Sequence, residues 1–174
     1  MNQPRRVLAA AAVVALALTG CAHSASDAAV VDGVVVPDSE IQAASAALAQ
    51  VRQQNAPTLT TEAVVREVQG IIAEKIAAKH NVALTDATRA EAVATDQETT
   101  ALLATANGRT LGTRIANLWV VVAKVGAETI ITECAATAVT LNPRYGTWSK
   151  DLCSIDDPAG SLSKPAPTPT PTKG

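Results

Sequence analysis

Two short strand candidates, separated by a long helical tract, most constrain what this 174-residue chain can fold into. The later one lies in residues 136–141, which are rich in small and β-branched side chains, and leads into Leu-Asn-Pro-Arg-Tyr-Gly-Thr-Trp at 141–148. Pro143 forbids helix and biases Asn142 towards extended backbone. The segment is therefore expected to be a strand, stiffened by the proline and ended near Gly146. A lone strand leaves its backbone N–H and C=O groups unsatisfied, and the other good candidate is residues 28–36. If the two pair antiparallel, the ends of the domain are tied together and everything between them is a helical excursion. The closing stretch also holds the chain's only tyrosine and one of its two tryptophans, in a sequence with no phenylalanine.

The earlier candidate reads Ala-Ala-Val-Val-Asp-Gly-Val-Val-Val, and Asp32-Gly33 between valines is a strong hairpin or tight-turn signal. Pro37-Asp38-Ser39-Glu40 then starts a helix, with Asp38 or Ser39 as N-cap. Ile41, Ala44, Leu48 and Val51 mark its buried face as far as Gln53. Asn55-Ala56-Pro57 breaks the pattern. A second helix is expected from Thr60 or Thr61, with Val64, Val65, Val68, Ile71, Ile72 and Ile76 forming an amphipathic stripe that stops near His80-Asn81. Thr85-Asp86 caps a third, whose outer face carries Arg89, Glu91, Asp96 and Glu98 and whose inner face is alanine plus Val93, Leu102 and Leu103. A fourth begins at residues 109–112, after Asn107-Gly108, and runs on past Gly126 to about Ala135. Its apolar positions Leu111, Ile115, Leu118, Val122 and Val125 are spaced by four, three, four and three. The expected fold is thus mostly α with a small β element: four or so helices between an N-terminal strand or hairpin and a closing strand.

The first twenty residues read as an export signal, with Arg5-Arg6 ahead of an uncharged apolar run too short to span a bilayer. Leu18-Thr19-Gly20-Cys21 has the form of a bacterial lipobox, which makes Cys21 the expected lipidation site and residues 21–27 a tether. The alternative is an ordinary secreted chain with a chance cysteine. Two acyl chains suffice for stable anchoring at about 0.8 kcal/mol per buried methylene, so the expected location is extracytoplasmic, on the cell membrane. Taking Cys21 for lipid leaves Cys134 and Cys153. In an oxidising compartment that even pair is expected to form a disulfide; the alternative is two unrelated buried thiols. Residues 28–155 then form the folded domain, and residues 156–174 a Pro/Thr-rich spacer.

Composition narrows the chemistry. Losing Arg5 and Arg6 with the signal leaves 12 basic against 16 acidic residues, a net charge of −4 with no basic block. That argues against a nucleic-acid partner. His23 and His80 have no second His or Cys at ligand spacing, so no metal or other cofactor is expected. Neither histidine has a setting for a catalytic base, and Glu62, Glu67 and Glu74 read as the solvated face of the second helix.

The succession of a lipobox, a Val-Val-Asp-Gly-x-x-Val strand leading to Ser-Glu-Ile, several helices, and a closing Val-x-Leu-Asn-Pro-Arg-Tyr-Gly-x-Trp resembles the N-terminal chaperone module of SurA/PrsA-type extracytoplasmic foldases, in the form found in actinobacterial lipoproteins. The likeness covers residues 28–148. It implies an N-terminal strand paired with a late strand around helices that cradle unfolded or exported polypeptide. Such proteins commonly carry an acid straight after the closing tryptophan, whereas here Ser149 and Lys150 precede Asp151. Full-length members also carry a parvulin isomerase domain before the closing strand. Here residues 81–136 read as helix and contain no His, Phe or Tyr, so the domain is expected to be missing and the protein not to be an enzyme. Arg144, Tyr145 and Trp148 either line a peptide groove or, with Tyr145 and Trp148 covering the core and Arg144 paired to a surface acid, close the domain. The competing functional class is an envelope scaffold or accessory lipoprotein that binds one folded partner.

Overall fold

The computed structural model describes Ser24 and residues 26–156. The expected signal peptide, Cys21, His23 and the Pro/Thr-rich segment 157–174 lie outside the described residues. Strands β1 (Asp27–Val31) and β2 (Val34–Pro37) form a hairpin closed by Asp32 and Gly33. Both turn residues have positive φ, 45° and 85°, which matches the twist that a two-residue hairpin requires. Strand β3 (Val139–Leu141) lies antiparallel on the other side of β1, with Ala29 opposite Leu141, Val30 opposite Thr140 and Val31 opposite Val139. The sheet order is β2-β1-β3, so the first and last parts of the domain are joined as expected.

Asp32 reinforces that join. Its N–H donates to the Ala138 carbonyl at 2.8 Å, and its carboxylate accepts the Ala138 N–H at 2.8 Å. Lys75 pairs with the same carboxylate. The Lys75 hydrogen bond, followed by the Ala138 N–H, holds the Asp32 carboxyl below its ordinary range.

Beyond Leu141 the expected strand gives way to a 3₁₀ turn, Pro143–Tyr145. Proline's fixed φ suits the first position of a helical turn, and the Asn142 side chain caps it by accepting the Arg144 N–H at 3.3 Å. The extended structure therefore ends at Leu141 and does not reach Gly146. Two-residue strands β4 (Trp148–Ser149) and β5 (Ser154–Ile155) then form a small antiparallel hairpin.

Between the hairpin and β3 lie six helices where about four were expected: α1 (Asp38–Arg52), α2 (Ala56–Lys79), α3 (Asp86–Ala92), α4 (Gln97–Ala104), α5 (Arg109–Val125) and α6 (Ala127–Ala136). The protein is mostly helical with a small antiparallel sheet. Its helix ends show why the count rose. Asp96, expected on the outer face of one helix, instead accepts the Thr99 N–H at 3.0 Å and caps α4. Gly126 takes φ 85° and ψ 155°, a conformation only glycine adopts freely. There the axes of α5 and α6 turn by 114°.

Two helix starts also move. α2 begins at Ala56, because Pro57 in a first turn loses no hydrogen bond. Neither Asp38 nor Ser39 caps α1: Pro37 occupies that position and Asp38 falls inside the first turn. Thr85 does cap α3, through a reciprocal capping box with Thr88. The first β residue, Asp27, belongs to the sheet and not to the tether.

α2 is the axis of the core. It buries Leu59, Val64, Val68, Ile71, Ile72 and Ile76 together with Ala63, Gly70, Ala73 and Ala77, a band too broad for a surface helix. α1, α5, α6 and the sheet pack around it. Each of the large side chains contributes about 1.5–3 kcal/mol relative to exposure. Among the described residues no single helix is long and apolar enough to cross a membrane.

Candidate functional site

α2 and α5 approach each other closely where they cross at Gly70. A Cβ on Gly70 would lie 2.4 Å from Arg114 Cβ and 3.0 Å from its Cα. Only glycine admits α5 this closely, and the Arg114 guanidinium is thereby laid along α2 between the carboxylates three residues before Gly70 and four after it. Arg114 Nη1 pairs with Glu74, and Nε lies 3.3 Å from Glu67 Oε2. Asn117, one turn further along α5, donates to Glu74 Oε1 at 2.9 Å. The Asn117 carbonyl oxygen accepts from Arg89 Nε at 2.6 Å, and Arg89 Nη1 reaches Asp86 at 2.9 Å. A polar chain thus runs from the core to the surface through α2, α5 and α3.

Glu67 does not lie on a solvated face. It is wholly buried, and neither carboxyl oxygen has a hydrogen-bond partner. Burial, then the neighbouring Glu40 carboxyl of α1, push the Glu67 carboxyl up to about 8, against the opposing pull of Arg114. The 3.3 Å approach of Arg114 argues the other way, towards an ion pair. Burial prevails, because Arg114 Nε makes no hydrogen bond and Glu74 engages the far side of the guanidinium. The Glu67 carboxyl is therefore held well above the ordinary carboxylate range. Glu62 is likewise not simply solvated: Arg52 grips it at 2.6 Å through Nη1 and holds Glu98 of α4 at 2.6 Å through Nε. The Arg52 hydrogen bonds hold the Glu62 carboxyl below its ordinary range.

The closing aromatic stretch forms a clasp on α1. Tyr145 is 5% exposed, and its hydroxyl donates to Asp38. Arg144 pairs with the same Asp38, with its guanidinium carbon 4.8 Å from the Tyr145 ring centroid. Burial, then the Asp38 hydrogen bond, raise the Tyr145 phenol above its usual value. Asn142 Nδ2 donates to the Asp27 carbonyl at 3.1 Å. Trp148 packs half-buried against the core. Next to the clasp, Cys134 of α6 is bridged to Cys153, with 5.7 Å between their Cα atoms. Gln69 Nε2 of α2 donates to the Cys153 carbonyl at 2.8 Å, fixing the start of β5. Arg144, Tyr145 and Trp148 are thus gathered at one seam of the fold.

A cleft of about 540 Å³ lies between α2 and β5, where Thr61, Val65, Arg66 and Gln69 face Ser154 and Ile155, the latter paired with Trp148. A second, of about 390 Å³, opens at the start of α5 beside Glu74, Arg109 and Arg114. Val34, Val35, Trp119, Ile131 and Leu152 are the large apolar side chains most open to solvent among the described residues. No group of three His, Cys, Asp or Glu side chains among the described residues is arranged to hold a metal.

Gly70, Arg114 and the buried state of Glu67 escaped the reading of the sequence. The available signal was a glycine inside the long apolar second helix, with glutamates at −3 and +4. No family model, characterised protein or solved structure matches the chain.

Proposed function

We propose that this protein is a lipid-anchored extracytoplasmic lipoprotein whose helical domain acts as a non-catalytic, SurA-like chaperone module for unfolded or exported polypeptide. The observation that carries the reading is the β1–β3 pairing, which brings the Val-Val-Asp-Gly stretch and the Leu-Asn-Pro-Arg-Tyr-Gly stretch together around the helices. That is the arrangement implied by the resemblance of the two motifs. The lipobox at Cys21 supplies the anchor, and the Cys134–Cys153 bridge suits an oxidising compartment. The cleft between α2 and β5 is the candidate client surface, offering Val65 and Ile155 among hydroxyl, amide and charged groups.

A second reading has an observation in its favour. The same cleft mixes polar and apolar lining, which suits the polar rim of an interface with one folded partner better than a range of greasy segments. Two measurements separate the readings. Suppression of aggregation of several unrelated unfolded clients supports the chaperone; one stoichiometric crosslinked partner with no such suppression refutes it. Replacement of Cys21 by Ala is expected to move the protein from the membrane to the soluble fraction, and continued membrane retention refutes the lipid anchor.

A further inference from the structure

The start of α5 borders two clefts that neither the clasp nor the candidate client cleft uses. The one of about 390 Å³ is lined by Glu74, Thr110 and Arg114, and another of about 270 Å³ by Asp86, Arg89 and Leu103. Arg109 and Thr113 line both, so the two adjoin along a shared wall. Residues 109 and 113 are a helical turn apart, as are 110 and 114, so α5 presents two guanidinium and two hydroxyl groups on one side.

Two of the three guanidinium groups are fixed in advance. Arg114 is laid against Gly70 and pairs through Nη1 with Glu74. Arg89 donates from Nε to Asn117 Oδ1 at 2.6 Å and pairs through Nη1 with Asp86 at 2.9 Å. The buried Asn117 joins the two arginines, since its amide also donates to Glu74 at 2.9 Å. The Nη2 group of each arginine makes no hydrogen bond among the described residues. Arg109 is exposed and has no ion-pair partner among them either. It stands at the first position of α5, whose first turn holds no acid, so no neighbouring carboxylate offsets its charge. The clefts thus carry three arginines against two carboxylates, and both carboxylates are already engaged.

We propose that the adjoining clefts bind a dianionic phosphoryl group, either inorganic phosphate or the terminal phosphate of a lipid headgroup. A guanidinium presents a planar fork of N–H donors that matches oxyanions. The unspent donors of Arg89, Arg109 and Arg114, with the Thr110 and Thr113 hydroxyls, come from both clefts and outnumber what the two oxygens of a carboxylate would take up. They suit the three acceptor oxygens of a phosphoryl group. Glu74 and Asp86 do not touch the anion; they hold Arg114 and Arg89 in place and keep the surplus charge small, so that binding is reversible. The site stands apart from whether the domain binds polypeptide.

Titration of the isotope-labelled full chain with inorganic phosphate, at about pH 7.5 and constant ionic strength, reads the site by NMR. Saturable shifts are expected at the amides of residues 109–114, and none of that size with chloride. Arg109→Gln is expected to weaken binding by about tenfold or more. Lys124→Gln removes the same charge from the last turn of α5 and is expected to titrate like the unaltered protein. Sedimentation of Cys21→Ala with phosphatidylcholine vesicles, with and without phosphatidic acid, separates the two sources. Capture that needs both phosphatidic acid and Arg109 assigns a lipid phosphate, and any other result assigns a soluble one. Shifts no larger than those with chloride overturn the proposal. So does Arg109→Gln binding phosphate as well as the unaltered protein, or Lys124→Gln weakening it as much as Arg109→Gln.

Discussion

Gly70→Ala sets two physical effects against each other at the α2–α5 crossing. By helix propensity alone, alanine in place of a mid-helix glycine stabilises by about 1 kcal/mol. Sterically, the new methyl would sit 2.4 Å from Arg114 Cβ and 3.0 Å from Arg114 Cα. Those atoms cannot swing aside as the tip of a long side chain can, so α5 must move as a body. Overpacking of this kind costs about 1–3 kcal/mol. The displacement also draws the guanidinium away from Glu74 and Glu67, and loosening a partly buried charge adds a comparable penalty of about 1–2 kcal/mol. Sterics and electrostatics together outweigh propensity, and the net expectation is a loss of about 1–4 kcal/mol. For a domain of this size that lowers Tm by roughly 3–12 °C. Differential scanning calorimetry at pH 7 measures it. A Tm equal to or above that of the unaltered protein refutes the close crossing and the placement of Arg114 that depends on it.

Two further outcomes are expected. Replacing Cys134 and Cys153 together by Ser opens a crosslink spanning 19 residues; about 3 kcal/mol of stability should go with it in the loop-entropy picture, read as a lower urea midpoint. Trypsin should then cut at the exposed Lys150 before the helical bundle unfolds, and an unchanged digestion pattern would show that Gln69 and β4–β5 pairing suffice to hold that segment. Tyr145 is the only tyrosine, so ultraviolet absorbance follows its ionisation directly. The midpoint should lie above the ordinary 10.0 and fall towards it in Asp38→Asn; because the folded chain keeps this proton longer, stability from the clasp is lost as pH rises beyond that ordinary value. A midpoint at or below 10.0 in the unaltered protein would refute the buried hydrogen bond to Asp38.

What could be read from the sequence was governed by local chemistry. The Asp32-Gly33 hairpin, the Thr85 cap and the stop at His80-Asn81 each depend on a few adjacent residues whose backbone preferences are strong. The pairing of β1 with β3 was also legible, because two strand candidates without other partners must satisfy one another. Helix continuity was not: Asp96 and Gly126 read as passengers within longer patterns, yet one accepts a backbone N–H and the other takes a glycine-only turn. Pro143 was misjudged because proline excludes helix interiors but suits a helical start.

The Glu67 site was the least legible, for a physical reason. A glutamate at a helical position between an arginine and a valine is normally solvated, and only the meeting of helices decides otherwise. Gly70 links the two levels: it weakens α2 locally, and that cost is repaid only if a neighbour needs the space. Arg114 fills it, pairing with Glu74 and leaving Glu67 buried with no hydrogen bond to either carboxyl oxygen. Burial outweighs the pull of Arg114 and raises the Glu67 carboxyl, so the stability that its protonated form supplies is lost as pH rises through the raised value.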